Sequence, residues 1–218
     1  MANRHLIMIL EAPMQSWGLQ GKFDRRDTMS LPTKSGVLGL LGAALGVERN
    51  DVARIKELTL LKMSVLCLKS GELMTDYHTI GGGYEKGSKC KVLKADGNPR
   101  NDAVITHRDY LFGSSFAVVL SGDASLIDES AKALDNPKWP IFLGRRCCIP
   151  TRPVLERVVD TQEDVKAILR QIGAKDSTIV MSDAGTESPD DTYHDVPIDY
   201  SKRQYGTRSV VSNQFSDW

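Results

Sequence analysis

Two short segments of the chain carry side chains that can transfer protons. Tyr77 and His78 lie in the sequence Asp-Tyr-His-Thr at 76–79, and His107 lies in Thr-His-Arg-Asp-Tyr at 106–110. A base that accepts the 2′-hydroxyl proton and an acid that protonates the leaving oxygen can cleave RNA without a metal. The same side chains also suit RNA binding or bracing of a loop. We adopt this non-catalytic interpretation, because the sequence does not fix their mutual distance.

A second candidate site lies at the start of an apolar helix predicted over 32–46. Glycines recur along it at spacings of three, three and four, at Gly36, Gly39, Gly42 and Gly46. Each costs about 1 kcal/mol against alanine in a helix, so the stripe predicts very close packing of the helix backbone. The free amides of the first turn could also hold a phosphate, together with Thr33, Lys34 and Ser35. Tight packing without a ligand is the other interpretation.

Basic residues near an aromatic ring indicate a possible RNA surface. Trp17 precedes Lys22, Arg25 and Arg26 in a long polar loop at 12–31, and a ring beside cations can bind a base and its phosphates. A glycine-rich basic stretch after residue 71 predicts a long hairpin arm, although each cluster could also be solvated surface. The predicted RNA-binding residues are Gln15, Trp17, Lys22, Arg25, Arg26, Thr33, Lys34, Ser35, His78, Lys86, Lys89, Lys91, Lys94, His107, Arg108, Arg145 and Arg146.

Composition and charge limit the classes of protein to consider. The 218 residues, 41% hydrophobic and 26% charged, are ordinary for a globular protein of one large or two small domains. The net charge is zero, which argues against bulk affinity for nucleic acid. However, residues 1–110 hold 16 Lys and Arg against 12 Asp and Glu, and residues 111–218 hold 12 against 16. This asymmetry fits a basic face for RNA and an acidic face for partners.

Several kinds of site are disfavoured. Motifs for nucleotide, dinucleotide and zinc-protease sites are missing, so we expect no cofactor. The longest apolar run, 37–47, is too short for a membrane helix, and the N-terminus does not read as a signal peptide. Four cysteines without CxxC spacing fit a reducing cytoplasm. We also predict no metal, because the acidic residues near the C-terminus lack a regular ligand spacing. They are Asp183, Asp190, Asp191, His194 and Asp195.

The order of predicted elements indicates an α+β fold. Strands are predicted at 5–11, 58–69, 116–121 and 139–143, and helices at 32–46, 51–57 and 123–136, with the arm between the second and third strands. This split βαβ order is typical of ferredoxin-like, RRM-like domains. The last third is less regular: a helix at 165–172, a strand at 178–182, an acidic loop at 183–195 and a β-prone tail at 200–218.

Four blocks of sequence, at 12–18, 32–36, 76–79 and 142–146, together resemble the CasD family of subunits of the type I-E CRISPR surveillance complex, Cascade. The resemblance implies a ferredoxin-like domain over 1–150, with a basic thumb hairpin at about 76–110, and a smaller β-rich region over 151–218. It also implies a cytoplasmic ribonucleoprotein subunit in antiviral defence. Such a subunit caps the 5′ handle of CRISPR RNA (crRNA), touches the terminal backbone subunit and the large subunit, and meets target DNA only indirectly.

The resemblance also bears on catalysis. In type I-C systems the related subunit cleaves the repeat RNA, whereas in type I-E systems a separate endonuclease does so. The match to the type I-E pattern implies binding without catalysis. A metal-independent endoribonuclease that uses Tyr77, His78 and His107 is the alternative. An α+β protein with an unrelated binding role is a third hypothesis.

Overall fold

The computed structural model describes residues 3–18, 21, 24–81, 92–94, 96–100 and 102–218. Within these residues the fold is mixed α+β, as predicted, with eleven strands and four helices. In chain order they are β1 Asn3–Glu11, β2 Met14–Gln15, β3 Arg25–Arg26, α1 Lys34–Leu45, α2 Val52–Thr59, β4 Lys62–Lys69, β5 Glu72–Ile80, β6 Val104–Phe112, β7 Ser115–Asp123, α3 Ala124–Asp135, β8 Leu155–Val159, α4 Gln162–Gln171, β9 Ile179–Asp183, β10 Asp191–Asp199 and β11 Gln204–Gln214. None of the described helices is long and apolar enough to cross a membrane.

The larger sheet has seven strands among the described residues, in the order β10-β11-β9-β4-β7-β1-β8. Strand β1 is buried on both faces because its apolar residues are continuous. Leu6 and Met8 pack on the side covered by α1 and α3, while Ile7 and Ile9 pack on the side covered by α4. Each fully buried side chain of this size stabilises the fold by about 1.5–3 kcal/mol. The sheet is therefore the rigid support on which α1 lies.

Local signals set the ends of the helices. Side-chain oxygens of Thr33, Asp51, Asp123 and Thr161 accept amide hydrogen bonds from the first turns of α1 to α4. Such a cap is worth about 1 kcal/mol. Helix α1 ends at Gly46, whose φ of 73° is easy only for glycine. The helix starts predicted at residues 32, 51 and 123 agree with these caps to within one residue, and the predicted end at Gly46 is confirmed.

Three predicted elements are wrong in detail. Residues 139–143 do not form a strand; the strand after α3 is β8, which pairs with β1. The strand predicted at 58–69 is β4, which begins only at Lys62 because α2 continues to Thr59. The predicted acidic loop at 183–195 is shorter, at 184–190, because β9 ends at Asp183 and β10 begins at Asp191. The region after residue 150 is β-rich as expected, and its four strands join the same sheet as β1.

A smaller sheet contains the start of the predicted arm. Strands β5 and β6 are antiparallel and pair from Glu72↔Phe112 to Ile80↔Val104, and the short strands β2 and β3 also pair with β6. The extension of β5 and β6 into a thumb stays a prediction. Four of the predicted RNA-binding lysines lie outside the described residues: Lys22, Lys86, Lys89 and Lys91.

Candidate nucleic-acid interface

Two adjoining clefts, of about 770 and 290 Å³, run along α1 and together form what we name the glycine groove. Ser35 and Gly36 lie in both clefts, and Gly39 and Gly42 extend the same floor. The walls combine half-buried aromatic rings with cations: Trp139, Phe142, Tyr200, Tyr205, Arg26, Arg49, Arg145 and Arg146. Two carboxylates, from Asp27 and Glu48, also line it, so the groove carries an excess of positive charge.

The glycine stripe explains the shape of this groove. A Cβ atom on Gly36 would lie 2.8 Å from Cε3 of Trp17, and one on Gly39 would lie 3.4 Å from the hydroxyl of Tyr200. At Gly42 the nearest atom is Cβ of Val47, at 3.8 Å. The first two glycines therefore admit aromatic rings against the helix backbone, as the packing interpretation predicted.

The start of α1 is already occupied by carboxylates of the chain itself. The amide of Lys34 donates to Oδ2 of Asp195 at 2.7 Å, and Lys34 Nζ pairs with Oδ2 of Asp183 at 2.8 Å. Thr33 is buried, and its hydroxyl caps the amide of Gly36. The predicted phosphate site at Thr33 and Lys34 is therefore wrong, because an internal anion already neutralises the helix end.

Arg208 completes this buried ion network between α1 and the C-terminal strands. Its guanidinium pairs with Asp183 at 2.6 Å and with Asp195 at 2.8 Å. Burial alone would raise the pKa of Asp183, but Lys34 and Arg208 hold it below its usual value. Burial would lower the pKa of Arg208, but the two carboxylates raise it. The removal of one of these four groups would leave its partners buried and unpaired, at a cost of about 3–5 kcal/mol.

Two other predicted RNA ligands are buried. Trp17 is 1% exposed and donates from Nε1 to Oε1 of Gln15 at 3.2 Å. Gln15 in turn donates to the carbonyl oxygens of Leu10 and Ser114. With both ring faces covered, Trp17 cannot stack on a base, so this prediction is wrong. Trp17 and Gln15 instead support the groove from beneath Gly36.

The hairpin strands β5 and β6 bring together two of the three residues that could transfer protons, Tyr77, His78 and His107. Tyr77 lies opposite His107, with ring centroids 5.4 Å apart, and Arg25 lies beside His107 on the other neighbouring strand. Side chains that pair directly across strands share a face, so these three exposed residues form a row. His78 pairs with Thr106 and therefore points to the opposite face. The structure does not bring Tyr77, His78 and His107 together as one catalytic cluster.

The remaining predicted cations differ in their environment. Arg146 is exposed and lines the groove, whereas Arg145 donates to three main-chain carbonyl oxygens. Arg26 is exposed at the groove rim, and Arg108 donates to the hydroxyl of Thr106. Lys94 is exposed and lies in a turn. Its amide donates to the carbonyl oxygen of Asn98, and its carbonyl oxygen accepts a bond from the amide of Gly97. Arg26 and Arg146 are thus the predicted arginines that the groove displays.

Sequence reasoning missed five side chains of the groove walls: Arg49, Trp139, Phe142, Tyr200 and Tyr205. The hydroxyl of Tyr200 donates to the carbonyl oxygen of Ser35 at 2.7 Å, across 165 residues of chain, and burial raises the pKa of this hydroxyl. Aromatic residues in the β-prone tail were the available signal, but no spacing connected them to α1. Among the residues that the structure describes, no three His, Cys, Asp or Glu side chains form a group suited to a metal ion.

Comparisons with known proteins agree on one relationship. The model of the family described as "CRISPR-associated protein (Cas_Cas5)" matches residues 5–211. The Cascade subunit CasD of Escherichia coli (strain K12) is 33% identical over 177 residues, which cover 76% of this chain and 75% of the relative. A solved chain described as "CRISPR RNA-guided surveillance complex" is 31% identical with a TM-score of 0.78, covering 96% of this chain and 89% of that one. A second, described as "Crystal structure of Cas protein", is 27% identical with a TM-score of 0.69, covering 97% and 94%.

Proposed function

Because the chain belongs to the Cas5 family of CRISPR-associated proteins, as its resemblance to CasD had indicated, we propose that it is a non-catalytic subunit of a Cascade-type complex. In this role it binds the 5′ handle of crRNA and caps one end of the assembly. Its other partners are the terminal backbone subunit and the large subunit, and it contributes to antiviral defence. A cytoplasmic location and an indirect relation to target DNA stay predictions from the same resemblance.

The observation that carries the proposal is the glycine groove. A single-stranded RNA needs cations for its phosphates and rings for its bases. Arg26, Arg49 and Arg146 supply the first requirement, and half-buried rings such as Trp139 and Tyr205 supply the second. The rings of Trp17 and Tyr200 already lie against Gly36 and Gly39, so the RNA contacts come from the groove walls. The handle therefore runs along the side of α1 and not over its start, which the carboxylate of Asp195 closes.

The hairpin provides a second contact region in this proposal. Tyr77, His107 and Arg25 form an exposed row of two rings and a guanidinium, which suits a base and an adjacent phosphate. The row leads from the base of β5 and β6 towards the predicted thumb. We place the junction between the handle and the spacer of crRNA on this side of the protein.

The connections of the larger sheet support a ferredoxin-like core. Strands β8, β1, β7 and β4 lie side by side in this order and are antiparallel to their neighbours. Helices α1 and α2 connect β1 to β4, and α3 precedes β8, so the order along the chain is the split βαβ arrangement. Strands β9, β11 and β10 extend the sheet beyond β4 and bring Tyr200 and Tyr205 to the groove.

The geometry of the hairpin favours binding over cleavage. A general base and a general acid must both reach the same phosphodiester, within hydrogen-bond distance of the atoms they serve. His78 lies on the opposite face from Tyr77 and His107. A metal-independent endoribonuclease that uses the remaining pair, Tyr77 and His107, is the alternative function.

The test measures binding and cleavage in one experiment. Full-length protein is titrated with the repeat RNA of its own CRISPR array at several salt concentrations in EDTA, and the RNA is then resolved on a denaturing gel. We expect binding without a product. Removing two phosphate contacts by Arg49→Ala and Arg146→Ala should reduce the slope of log K against log salt by about 1.4.

Arg157→Ala is the matched control, because Arg157 is exposed on β8 and does not line the groove. It should keep the wild-type slope. An unchanged slope in the double variant would overturn the placement of RNA in the groove. A discrete RNA cleavage product that forms in EDTA and disappears in His107→Ala would support the nuclease alternative instead.

A further inference from the structure

Arg145 joins three separate parts of the chain. Its Nη1 donates to the carbonyl oxygen of Asp109 in β6 at 2.9 Å, and its Nη2 donates to that of Arg26 in β3 at 2.8 Å and more distantly to that of Asp27 at 3.3 Å. The guanidinium carbon also lies 4.5 Å from the ring centroid of Tyr110. A planar fork that stacks on a ring while bonding to several carbonyls is a geometry that lysine cannot reproduce.

A tight turn holds the backbone of Arg145 in place. The amide of Leu143 donates to the carbonyl of Cys148 at 2.8 Å, and the amide of Ser16 donates to the carbonyl of Leu143 at 3.1 Å. Gly144 has a φ of 98°, and a Cβ atom there would lie only 1.8 Å from the carbonyl oxygen of Ser16. The position from which the guanidinium extends is therefore fixed against the segment after β2.

Among the residues that the structure describes, the segment that Arg145 holds has few other attachments. Strand β3 is only two residues long, and both Arg25 and Arg26 are exposed. A main-chain bond from His107 to the carbonyl of Asp24, at 2.7 Å, ties its start to β6. The Arg25 guanidinium lies 3.9 Å from the carboxylate of Asp109, which is a weak tether for a largely exposed side chain. Without Arg145, this short strand loses its connection to the turn at 143–148.

We propose that Arg145 is a positioning residue for RNA binding, and that its neighbour Arg146 makes the contact with RNA. Arg145 fixes β3, so that Arg25 stands in the hairpin row and Arg26 stands at the rim of the glycine groove. This inference rests on the proposed function for its RNA part. Its structural part, that the Arg145 guanidinium holds β3 on β6, does not depend on any ligand.

The ligand-free test is hydrogen exchange at the amides of His107 and Met29, which bond to the carbonyls of Asp24 and Trp17 on either side of β3. Local opening of β3 should expose both amides. We expect both Arg145→Ala and Arg145→Lys to speed their exchange by about tenfold, while Val118 in the central strand β7 keeps its wild-type protection. Arg146→Ala is the matched control and should exchange like the wild type. Equal exchange in the Arg145 and Arg146 variants would refute the positioning role.

The RNA test is a double-mutant cycle. If Arg145 acts through β3, Arg145→Ala should weaken RNA binding by about tenfold in the wild type but by less than about twofold when Arg25 and Arg26 are already alanine. The salt slope should fall in Arg146→Ala and also in Arg145→Ala, because β3 then no longer holds Arg25 and Arg26 at the RNA; in the Arg25, Arg26 alanine background, Arg145→Ala should lower it no further. A full further loss in the Arg25, Arg26 background would overturn the proposal. If the wild type itself binds no RNA, the proposed function fails, and the exchange result alone decides the role of Arg145.

Discussion

Replacement of Gly36 by alanine tests whether the glycine stripe is needed for close packing. The new Cβ atom would lie 2.8 Å from Cε3 of Trp17 and 3.0 Å from the cap oxygen of Thr33. Trp17 cannot easily move aside, because it is 1% exposed and bonded to Gln15. The substitution must therefore displace the ring or weaken the cap.

The expected change in the free energy of unfolding follows from two opposing effects. Alanine in place of glycine favours a helix by about 1 kcal/mol, whereas overpacking costs about 1–3 kcal/mol. For Gly36→Ala we expect a net loss of about 1–2 kcal/mol, since the cap at Thr33 is strained as well. At Gly42 the nearest atom to a new Cβ is 3.8 Å away, so overpacking is small. The higher helix propensity of alanine should therefore make Gly42→Ala more stable than the wild type by about 1 kcal/mol.

Urea unfolding of the two variants and the wild type measures this difference. Both variants carry the same chemical change in the same helix. If their free energies of unfolding shift in opposite directions, the difference must come from the contact between Gly36 and the Trp17 ring. If both variants shift in the same direction, or if Gly36→Ala is the more stable of the two, the packing argument for the stripe is refuted.

Two further outcomes are expected. The pKa of Asp183 is lowered on folding, so its contribution to stability is fully present above the unfolded value of about 3.9 and is lost as the pH falls through the lower folded pKa. Urea unfolding should therefore show a steeper acid loss for the wild type than for Asp183→Asn, and parallel pH profiles would contradict this. Gly173→Ala, at a φ of 105° with free space around it, should cost about 1–3 kcal/mol from strain alone. Gly144→Ala should cost clearly more because of Ser16, and equal thermal midpoints would contradict the collision.

Local signals were sufficient for the first helices and strands. Thr33, Asp51 and Asp123 have side chains that cap a helix from within three residues, so the starts of α1 to α3 were predictable from neighbouring residues alone. Strand β1 was predictable because a short continuous apolar run suits a strand buried on both faces. The order of these elements was enough to predict the α+β class.

Features that depend on distant residues were not predictable. The segment 139–143 has the apolar composition of a strand, but β8 takes the place beside β1. Lys34 was predicted to bind phosphate because its partners lie far along the chain: Asp183, which pairs with its side chain, is 149 residues away, and Asp195, which accepts from its amide, is 161 residues away. Trp17 was predicted to stack on a base for a similar reason. Its ring is buried by Gly36 and by core residues that lie outside its own segment of the sequence. Neighbouring sequence reports which chemistry a residue can perform, whereas burial decides whether that chemistry is accessible.

The ion network also sets the stage of synthesis at which the groove beside α1 is complete. Lys34 is translated 149 residues before Asp183 and 161 residues before Asp195. Until those residues and the strands around them are made, Lys34 lacks its carboxylate partners, and the groove lacks the wall formed by Tyr200. Under the proposed function, RNA engagement would therefore follow the synthesis of the C-terminal strands. A chain that ends before these strands would not occupy a crRNA that an intact subunit needs.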